Sequence, residues 1–394
     1  MKKILRLSVT LFFALPLLFV GCSKPIDAPA PENNYLVSNS VIGSFTKDQL
    51  VRELGAFNPT LANFLRNGIK VYKVVYKTKN TDGAEIQASG TVLIPDVTSA
   101  VPMVSVQHGT IFDDADAPSN YNAGSEARTV GALFASLGYI LVYPDFIGFG
   151  ASKNVPHPYE HRESLGTACL DMLRAAKELV RQENAKWDDR LYIAGYSQGG
   201  GATMALQKKI EEETGSEFNL RASSCGAGAY DKTAFMNFLI NSKSSADPRA
   251  NQFYLWVLLT YDRIYKLNRP LTTYFKEPFA TQIAATKERT IISVSFDQIL
   301  NDTFKKGVKD GTDAAFMAAV KDNDIFDWTP RTPTRLYHGE ADVTVYPFTS
   351  QNAFNAMQKR AAANVQLILL PGKSHGTAIE DYLLGTLSFI SSTQ

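Results

Sequence analysis

One short segment combines a serine with the glycines that a reactive serine needs. Residues 191–202 read LYIAGYSQGGGA, so an apolar run is followed by the pattern Gly195-x-Ser197-x-Gly199 and by a helix-forming run. Glycine two residues on either side lets the neighbouring backbone pass close to a strained strand-to-helix turn. The five-residue pattern alone is weak, but a strand before it and a helix after it predict that Ser197 is a nucleophile.

A serine nucleophile needs a base, and the chain holds five histidines, at positions 108, 157, 161, 338 and 375. Where such a serine turn is used, the acid and the base follow the serine, which sets aside the first three. His338 ends an apolar run, where we expect a packed strand-end residue. His375 lies in the glycine-flanked loop PGKSHG after the last apolar run, and it is the predicted base.

The acid is expected between the serine and the base. Asp342 lies in the segment GEADVTV directly after an apolar run, and a carboxylate there can accept the Nδ1 hydrogen bond of the base. Glu340 is the nearby rival, and a solvated loop charge is the plain alternative for either residue. Asp342 is preferred because the apolar residues after it would anchor the loop.

Acyl chemistry also needs two backbone N–H groups for a developing oxyanion. Gln198, directly after the nucleophile, is expected to supply one. The segment VQHGT, residues 106–110, ends an earlier apolar run, and we expect Thr110 to supply the other, with Gly109 as the second choice. His108 is expected to shape this loop and not to accept a proton from Ser197.

A glycine-rich turn at residues 143–152 lacks the Gly-Lys-Ser/Thr of a phosphate loop. Asp145 is interpreted as a structural residue of that turn. His157, Tyr159 and His161 follow it, with a surface loop as the default interpretation and the rim of a pocket as the alternative.

The apolar runs predict the frame that positions these residues. They are short and continuous, as is typical of strands buried on both faces of a sheet. An apolar stripe from Leu165 to Val180 suits a crossover helix packed on that sheet. We therefore predict an α/β fold with a mostly parallel, eight-stranded sheet flanked by helices. The eight runs are residues 71–76, 86–94, 101–106, 139–143, 191–194, 222–225, 334–337 and 365–370.

Residues 230–330 interrupt the alternation of strands and helices. They are helical in pattern and rich in aromatic side chains, most of which we expect to fill a small core of their own. Because the segment lies between the sixth and seventh runs, it is also the predicted lid, with some aromatics lining a pocket.

The N-terminus predicts an export signal, because three basic residues precede the apolar run from Leu7 to Val20. The segment LFVGC ending at Cys22 resembles the bacterial lipobox, in which the cysteine is acylated, although Phe19 stands where leucine is usual. An ordinary secretory signal is the alternative. Residues 23–40 are polar and proline-rich and predict a flexible tether, followed by a catalytic domain at 41–394.

Charge and cysteine content limit the kinds of partner, disulfide and metal site that the chain is expected to have. Removal of the signal leaves 37 basic and 39 acidic residues, and no basic stretch beyond it interleaves with aromatics, so we expect no nucleic-acid partner. Cys169 and Cys225 are compatible with one disulfide or with two buried thiols. Neither has the neighbours of a metal ligand, and we expect neither a metal nor a cofactor.

Taken together, five segments resemble the α/β-hydrolase superfamily, and within it the secretory lipases and bacterial cell-surface esterases. The resemblance implies ester hydrolysis and a lid inserted before the acid-bearing strand. Because the N-terminus resembles that of a lipoprotein, an ester met at a cell surface is expected, such as an acylated glycan or a small ester. The cysteine pair departs from the several disulfides common in freely secreted lipases. The five segments are QHGT at 107–110, PDFIGFG at 144–150, GYSQGG at 195–200, the Asp342 loop and SHG at 374–376.

Three hypotheses remain at this point. The first is a carboxylic-ester hydrolase in the cell envelope that acts through an acyl-enzyme on Ser197. The second is a serine peptidase that uses the same three residues on an amide. The third is a binding module with a decayed site, which is disfavoured because Ser197, Asp342 and His375 are all present.

Overall fold

The computed structural model describes residues 32–57 and 63–393. The predicted export signal, Cys22 and residues 23–31 of the predicted tether therefore lie outside the described residues.

A mixed sheet forms the centre of the described part of the chain. Its strand order is β1-β2-β3-β5-β4-β6-β7-β8-β9, in which β1, β2 and β3 are antiparallel to their neighbours and the pairs from β5 to β9 are parallel. This confirms the predicted mostly parallel α/β sheet, with nine strands in place of eight. The strands are β1 Leu36–Phe45, β2 Ile69–Lys79, β3 Glu85–Pro95, β4 Val101–Gln107, β5 Ile140–Pro144, β6 Trp187–Tyr196, β7 Asn219–Gly226, β8 Thr334–Gly339 and β9 Val365–Leu370.

The additional strand, β1, corrects the predicted tether, which was extended to residue 40. β1 begins at Leu36, and the Glu178 carboxylate accepts hydrogen bonds from the N–H groups of Asn34 at 2.8 Å and Leu36 at 2.6 Å. The sequence pattern missed it because β1 is an edge strand whose residues after Leu36 are mostly exposed, so it carries no apolar run.

Helices cover both faces of the sheet. The stripe from Leu165 to Val180 is buried on α3, as predicted for the crossover between β5 and β6. Cys169 and Cys225 are both buried free thiols. No helix within 32–57 and 63–393 has the length and apolar character needed to cross a bilayer. The helices are α1 Lys47–Phe57, α2 Ala132–Ser136, α3 Arg162–Gln182, α4 Gln198–Glu213, α5 Lys232–Asn241, α6 Pro248–Ile264, α7 Leu271–Tyr274, α8 Phe279–Thr286, α9 Phe296–Ile299, α10 Asp302–Lys309, α11 Ala314–Asp322, α12 Phe348–Lys359 and α13 Ile379–Ser392.

The segment between β7 and β8 is helical, and it carries the seven helices α5 to α11. They pack around an aromatic core in which the Phe316 ring lies 5.1 Å from that of Phe304. We refer to residues 230–330 as the helical insertion.

Candidate active site

Ser197 lies at the turn between β6 and α4, with φ 60° and ψ −123°. Its own N–H donates to the Gly226 carbonyl at 2.9 Å, which fixes the turn against β7. A Cβ added to Gly195 would lie 2.4 Å from the Gly199 carbonyl oxygen, and one added to Gly199 would lie 1.9 Å from that of Gln107. Both glycines are therefore required by close backbone contacts, as the sequence pattern predicted.

His375 follows β9 and lies between Ser197 and Asp342. Its Nε2 is 2.9 Å from Ser197 Oγ, and its Nδ1 is 2.6 Å from Asp342 Oδ2. Because the carboxylate can only accept, Nδ1 carries the proton and Nε2 is free to accept from the serine hydroxyl. The Tyr196 hydroxyl donates to the His375 carbonyl at 2.8 Å and holds the loop over the end of the sheet.

Asp342 is buried in the loop after β8, whereas its rival Glu340 is exposed. Its Oδ1 accepts hydrogen bonds from the N–H groups of Thr344 at 2.8 Å and Val345 at 2.9 Å, so backbone donors orient the carboxylate. Burial acts to raise the pKa of Asp342, but hydrogen bonds from His338 and His375 lower it to about 2. The carboxylate is therefore ionised across the neutral range.

A second histidine contacts the same carboxylate. His338 is fully buried, as expected of a strand-end residue, and its Nε2 is 3.4 Å from Asp342 Oδ2 and 2.7 Å from the Val345 carbonyl oxygen. Sequence reasoning placed His338 in the core and missed this contact. The four-residue spacing from Asp342 was the available signal.

The predicted oxyanion donors lie on two segments that meet at the serine turn. Gln198 begins α4, where the first N–H groups of a helix lack intrahelical acceptors. The loop after β4 is adjacent, because a Cβ on Gly199 would lie 2.9 Å from the His108 carbonyl oxygen. In that loop the Gly109 N–H donates to Glu126 Oε2 at 3.2 Å, so this N–H already has an acceptor.

His157 supports Gln198 from the interior. Its Nδ1 is 2.5 Å from the Ile147 carbonyl oxygen, and its Nε2 is 2.8 Å from Gln198 Nε2. Burial lowers the pKa of His157 to about 3, against the effect of the hydrogen bond to Ile147. The ring is therefore neutral, with Nδ1–H donating to the carbonyl and Nε2 accepting from the Gln198 amide.

The remaining residues of the glycine-rich turn have separate positions. Asp145 is buried and accepts hydrogen bonds from the Ser89 hydroxyl at 2.5 Å and the Ser119 N–H at 2.7 Å, in keeping with a structural role. His161 is the N-cap of α3. Tyr159 lines the cavity beside Ser197, and its hydroxyl is 2.9 Å from Thr110 Oγ1.

A cavity of about 560 Å³, including its opening to solvent, lies beside Ser197. One part of its wall comes from the helical insertion, through Phe235, Phe253 and Tyr254 among others, and another from Thr344 and Val345 after the acid. Most of its lining is apolar. Some insertion aromatics thus line a pocket, whereas Phe304 and Phe316 fill the core of the insertion.

The fold and this arrangement at the carboxyl ends of the strands define an α/β-hydrolase. The family model described as secretory lipase matches residues 121–366, which is more than half of the chain. The chain therefore belongs to the secretory lipase family.

Solved structures with the same fold agree with this family. A hydrolase from Legionella pneumophila subsp. pneumophila is 25% identical with a TM-score of 0.81, and the match covers 91% of this chain and 98% of that one. The rice cell wall degrading esterase LipA from Xanthomonas oryzae is 23% identical with a TM-score of 0.75, covering 91% and 97%. Candida antarctica lipase A in its closed state is 16% identical with a TM-score of 0.61, covering 90% and 83%. No match was found among curated protein sequences.

Proposed function

We propose that the protein is a serine carboxylic-ester hydrolase in which Ser197, His375 and Asp342 form the catalytic triad. The observation that carries this proposal is the position of His375, with one ring nitrogen 2.9 Å from Ser197 Oγ and the other 2.6 Å from Asp342. Membership of the secretory lipase family supports a hydrolase of the lipase and esterase type.

The proposed reaction begins when Ser197 Oγ attacks the ester carbonyl carbon while His375 Nε2 accepts the hydroxyl proton. The negative charge on the carbonyl oxygen is stabilised by the N–H groups of Gln198 and Thr110. Collapse of this intermediate breaks the bond to the alcohol, which leaves with the proton from His375. Water, deprotonated by the same nitrogen, then attacks the acyl carbonyl carbon, and the acid is released as the bond to Ser197 Oγ breaks and His375 returns the proton to that oxygen.

Asp342 acts in this scheme by accepting the Nδ1 hydrogen bond and stabilising the imidazolium that forms at each proton transfer. Its low pKa supports this role, because a carboxylate that stays ionised can balance the positive ring. The chemistry requires no metal or cofactor.

The test is hydrolysis of p-nitrophenyl acetate, butyrate and octanoate by the chain from Glu32 onward, compared with its Ser197→Ala variant. We expect the variant to lose about 10⁴-fold or more in kcat, because the nucleophile is removed. An aminoacyl p-nitroanilide serves as the amide substrate. Cleavage of the anilide alone would favour the peptidase alternative, and no turnover of either would favour a binding module.

We also propose that the protein is exported and anchored in the cell envelope by acylation of Cys22, with secretion as the alternative. The support is the lipobox-like sequence LFVGC at the end of the apolar run. The test compares the membrane fraction of cells that express the full chain with that of cells that express Cys22→Ser. Loss of the membrane-associated form in the variant is expected, and equal partition of both would contradict the anchor.

A further inference from the structure

Two oppositely charged side chains lie inside the cavity beside Ser197. Lys232, the first residue of α5, donates from Nζ to Glu160 Oε2 in a short contact, and both side chains line the cavity. Each residue is only 7% exposed. Removing two charges from water costs free energy that their attraction recovers only in part, so a pair in an otherwise apolar pocket needs an explanation.

The position of the pair is set by structure on both sides. Glu160 has a left-handed backbone with φ 57°, and its carbonyl accepts from the Tyr261 hydroxyl at 3.0 Å. A Cβ on Gly201 would lie 3.5 Å from Glu160 Oε2. Gly201 is four residues after Ser197, so the Glu160 carboxylate lies against the first turn of α4, which begins directly after the nucleophile.

The pair keeps unused hydrogen-bonding capacity. Lys232 Nζ donates to Glu160 Oε2 and to the Ala229 carbonyl at 2.9 Å, which leaves one of its three N–H groups. Within 32–57 and 63–393, no donor is found for Glu160 Oε1. The pair therefore offers a cavity ligand one donor and one acceptor side by side.

This combination selects among chemical groups. A carboxylate would be repelled by Glu160 and an ammonium by Lys232, whereas an alkyl chain end would desolvate both groups without replacing their hydrogen bonds. A hydroxyl accepts from an ammonium and donates to a carboxylate at the same time. It is the smallest neutral substituent of a substrate that satisfies both.

We propose that Lys232 and Glu160 select esters whose acyl group carries a hydroxyl a few carbons from the carbonyl. The inference rests on the proposed function and names its substrate class. The acyl group is assigned to this cavity because it stays attached to Ser197 after the alcohol has left, and the mostly apolar lining beside Ser197 suits the part that stays.

The experiment compares kcat/KM for p-nitrophenyl hexanoate and its ω-hydroxyhexanoate analogue, and for decanoate and ω-hydroxydecanoate. We expect the hydroxyl to raise kcat/KM about 10- to 100-fold in the six-carbon pair, because hydrogen-bonding sites discriminate strongly against analogues that lack the group. The gain should be smaller in the ten-carbon pair, because that hydroxyl is four carbons farther from the carbonyl, whereas the pair lies against the first turn of the helix after Ser197.

The decisive variant is the double substitution Glu160→Leu with Lys232→Met, which replaces the pair by apolar side chains of similar size and leaves no unpaired charge. In this variant we expect kcat/KM to be higher for the ester without the hydroxyl than for its hydroxylated analogue. Lys209→Met is the control, because Lys209 is a similarly buried lysine that pairs with Glu163 and Glu213 away from this cavity. The ratio should not change in that control.

A pair that merely ties α5 to the loop before α3 would lower the rates for both esters equally and leave their ratio unchanged. That result, or equal rates for both esters in the unsubstituted protein, would overturn the inference. Binding of the intact esters to the Ser197→Ala variant, measured by calorimetry, distinguishes a failure of the proposed hydroxyl selectivity from a failure of the proposed ester hydrolysis. If no ester is hydrolysed, the proposed function fails, and tighter binding of the hydroxylated ester still supports the selectivity.

Discussion

The loops at the carboxyl ends of the strands and the helical insertion hold their residues in different ways. The loop after β8 is fixed by hydrogen bonds that its backbone N–H groups donate to the Asp342 carboxylate. The turn at Ser197 is fixed by the hydrogen bond from its own N–H to β7. The insertion is held by its own aromatic core, and Arg289 links it to the loop after β4 through an exposed ion pair with Asp113. The residues of the proposed triad are therefore held by the strand-end loops, whereas the cavity wall comes largely from the insertion, so substitutions in the two regions should have separable effects.

The largest effect is expected at the strand-end loops. Asp342→Asn should lower kcat for p-nitrophenyl butyrate by about 10³- to 10⁴-fold, because the amide can no longer balance the imidazolium or fix its tautomer. Glu340→Gln is the matched control in the same loop and should stay within about twofold, because Glu340 is exposed. A comparable loss in both variants would mean that the loop, and not its acid, is responsible.

In the insertion, a core substitution should affect stability more than chemistry. Phe316→Ala should lower the free energy of unfolding by about 3–5 kcal/mol, because the ring is fully buried against Phe304. Urea denaturation measures this loss, with Ile291→Ala as the exposed control in the same region. A fall in kcat of the folded protein as large as that of Asp342→Asn would break the proposed separation.

A smaller, pH-dependent effect is expected where the two regions meet. His157 has a pKa lowered to about 3, so below its unfolded pKa of about 6.5 the unfolded chain binds a proton that the folded protein does not. The free energy of unfolding should therefore decrease as the pH is lowered from about 6.5 toward 3, by up to about 1.4 kcal/mol per pH unit.

Removal of His157 should remove this contribution. In His157→Gln the difference in unfolding free energy from the unsubstituted protein should change by about 2 kcal/mol between pH 6.5 and pH 4.5. Denaturation at several pH values measures it. His161→Gln should show the same sign over a narrower range, because its pKa is lowered only to about 4. Parallel curves for His157→Gln and the unsubstituted protein would contradict the buried neutral ring.

The smallest effect is expected at the ion pair between the insertion and the β4 loop. Arg289→Ala should lower the free energy of unfolding by less than about 1 kcal/mol, because the Arg289 and Asp113 side chains are 52% and 63% exposed. High salt should remove the difference. A larger or salt-independent loss would indicate that the backbone contact to Phe112, at 2.9 Å, matters more than the charge.

Sequence alone predicted the strands that precede Ser197, Asp342 and His375, because each contains a short apolar run, although the run of β9 at the second edge of the sheet is only partly buried. It also predicted the association of Ser197, Asp342 and His375, since the carboxyl ends of parallel strands meet at one edge. β1 was missed because an edge strand needs no apolar run. The boundary of the tether was wrong for the same reason.

Other features depend on contacts that are distant in the chain. Glu160 and Lys232 are 72 residues apart and resemble ordinary surface charges until the insertion folds over the sheet. His157 was expected in a surface loop, and only the structure shows its ring behind Gln198. Neither pairing has a sequence spacing that could reveal it.

The hydrogen bonds from Asn34 and Leu36 to Glu178 hold the chain against α3 from residue 34 onward. A tether of residues 23–40 could extend about 60 Å, whereas residues 23–32 could extend about 35 Å. If Cys22 carries the proposed lipid, the volume that the domain can search is therefore about fivefold smaller. A tether of this length would favour substrates embedded in or attached to the envelope over those in the surrounding medium.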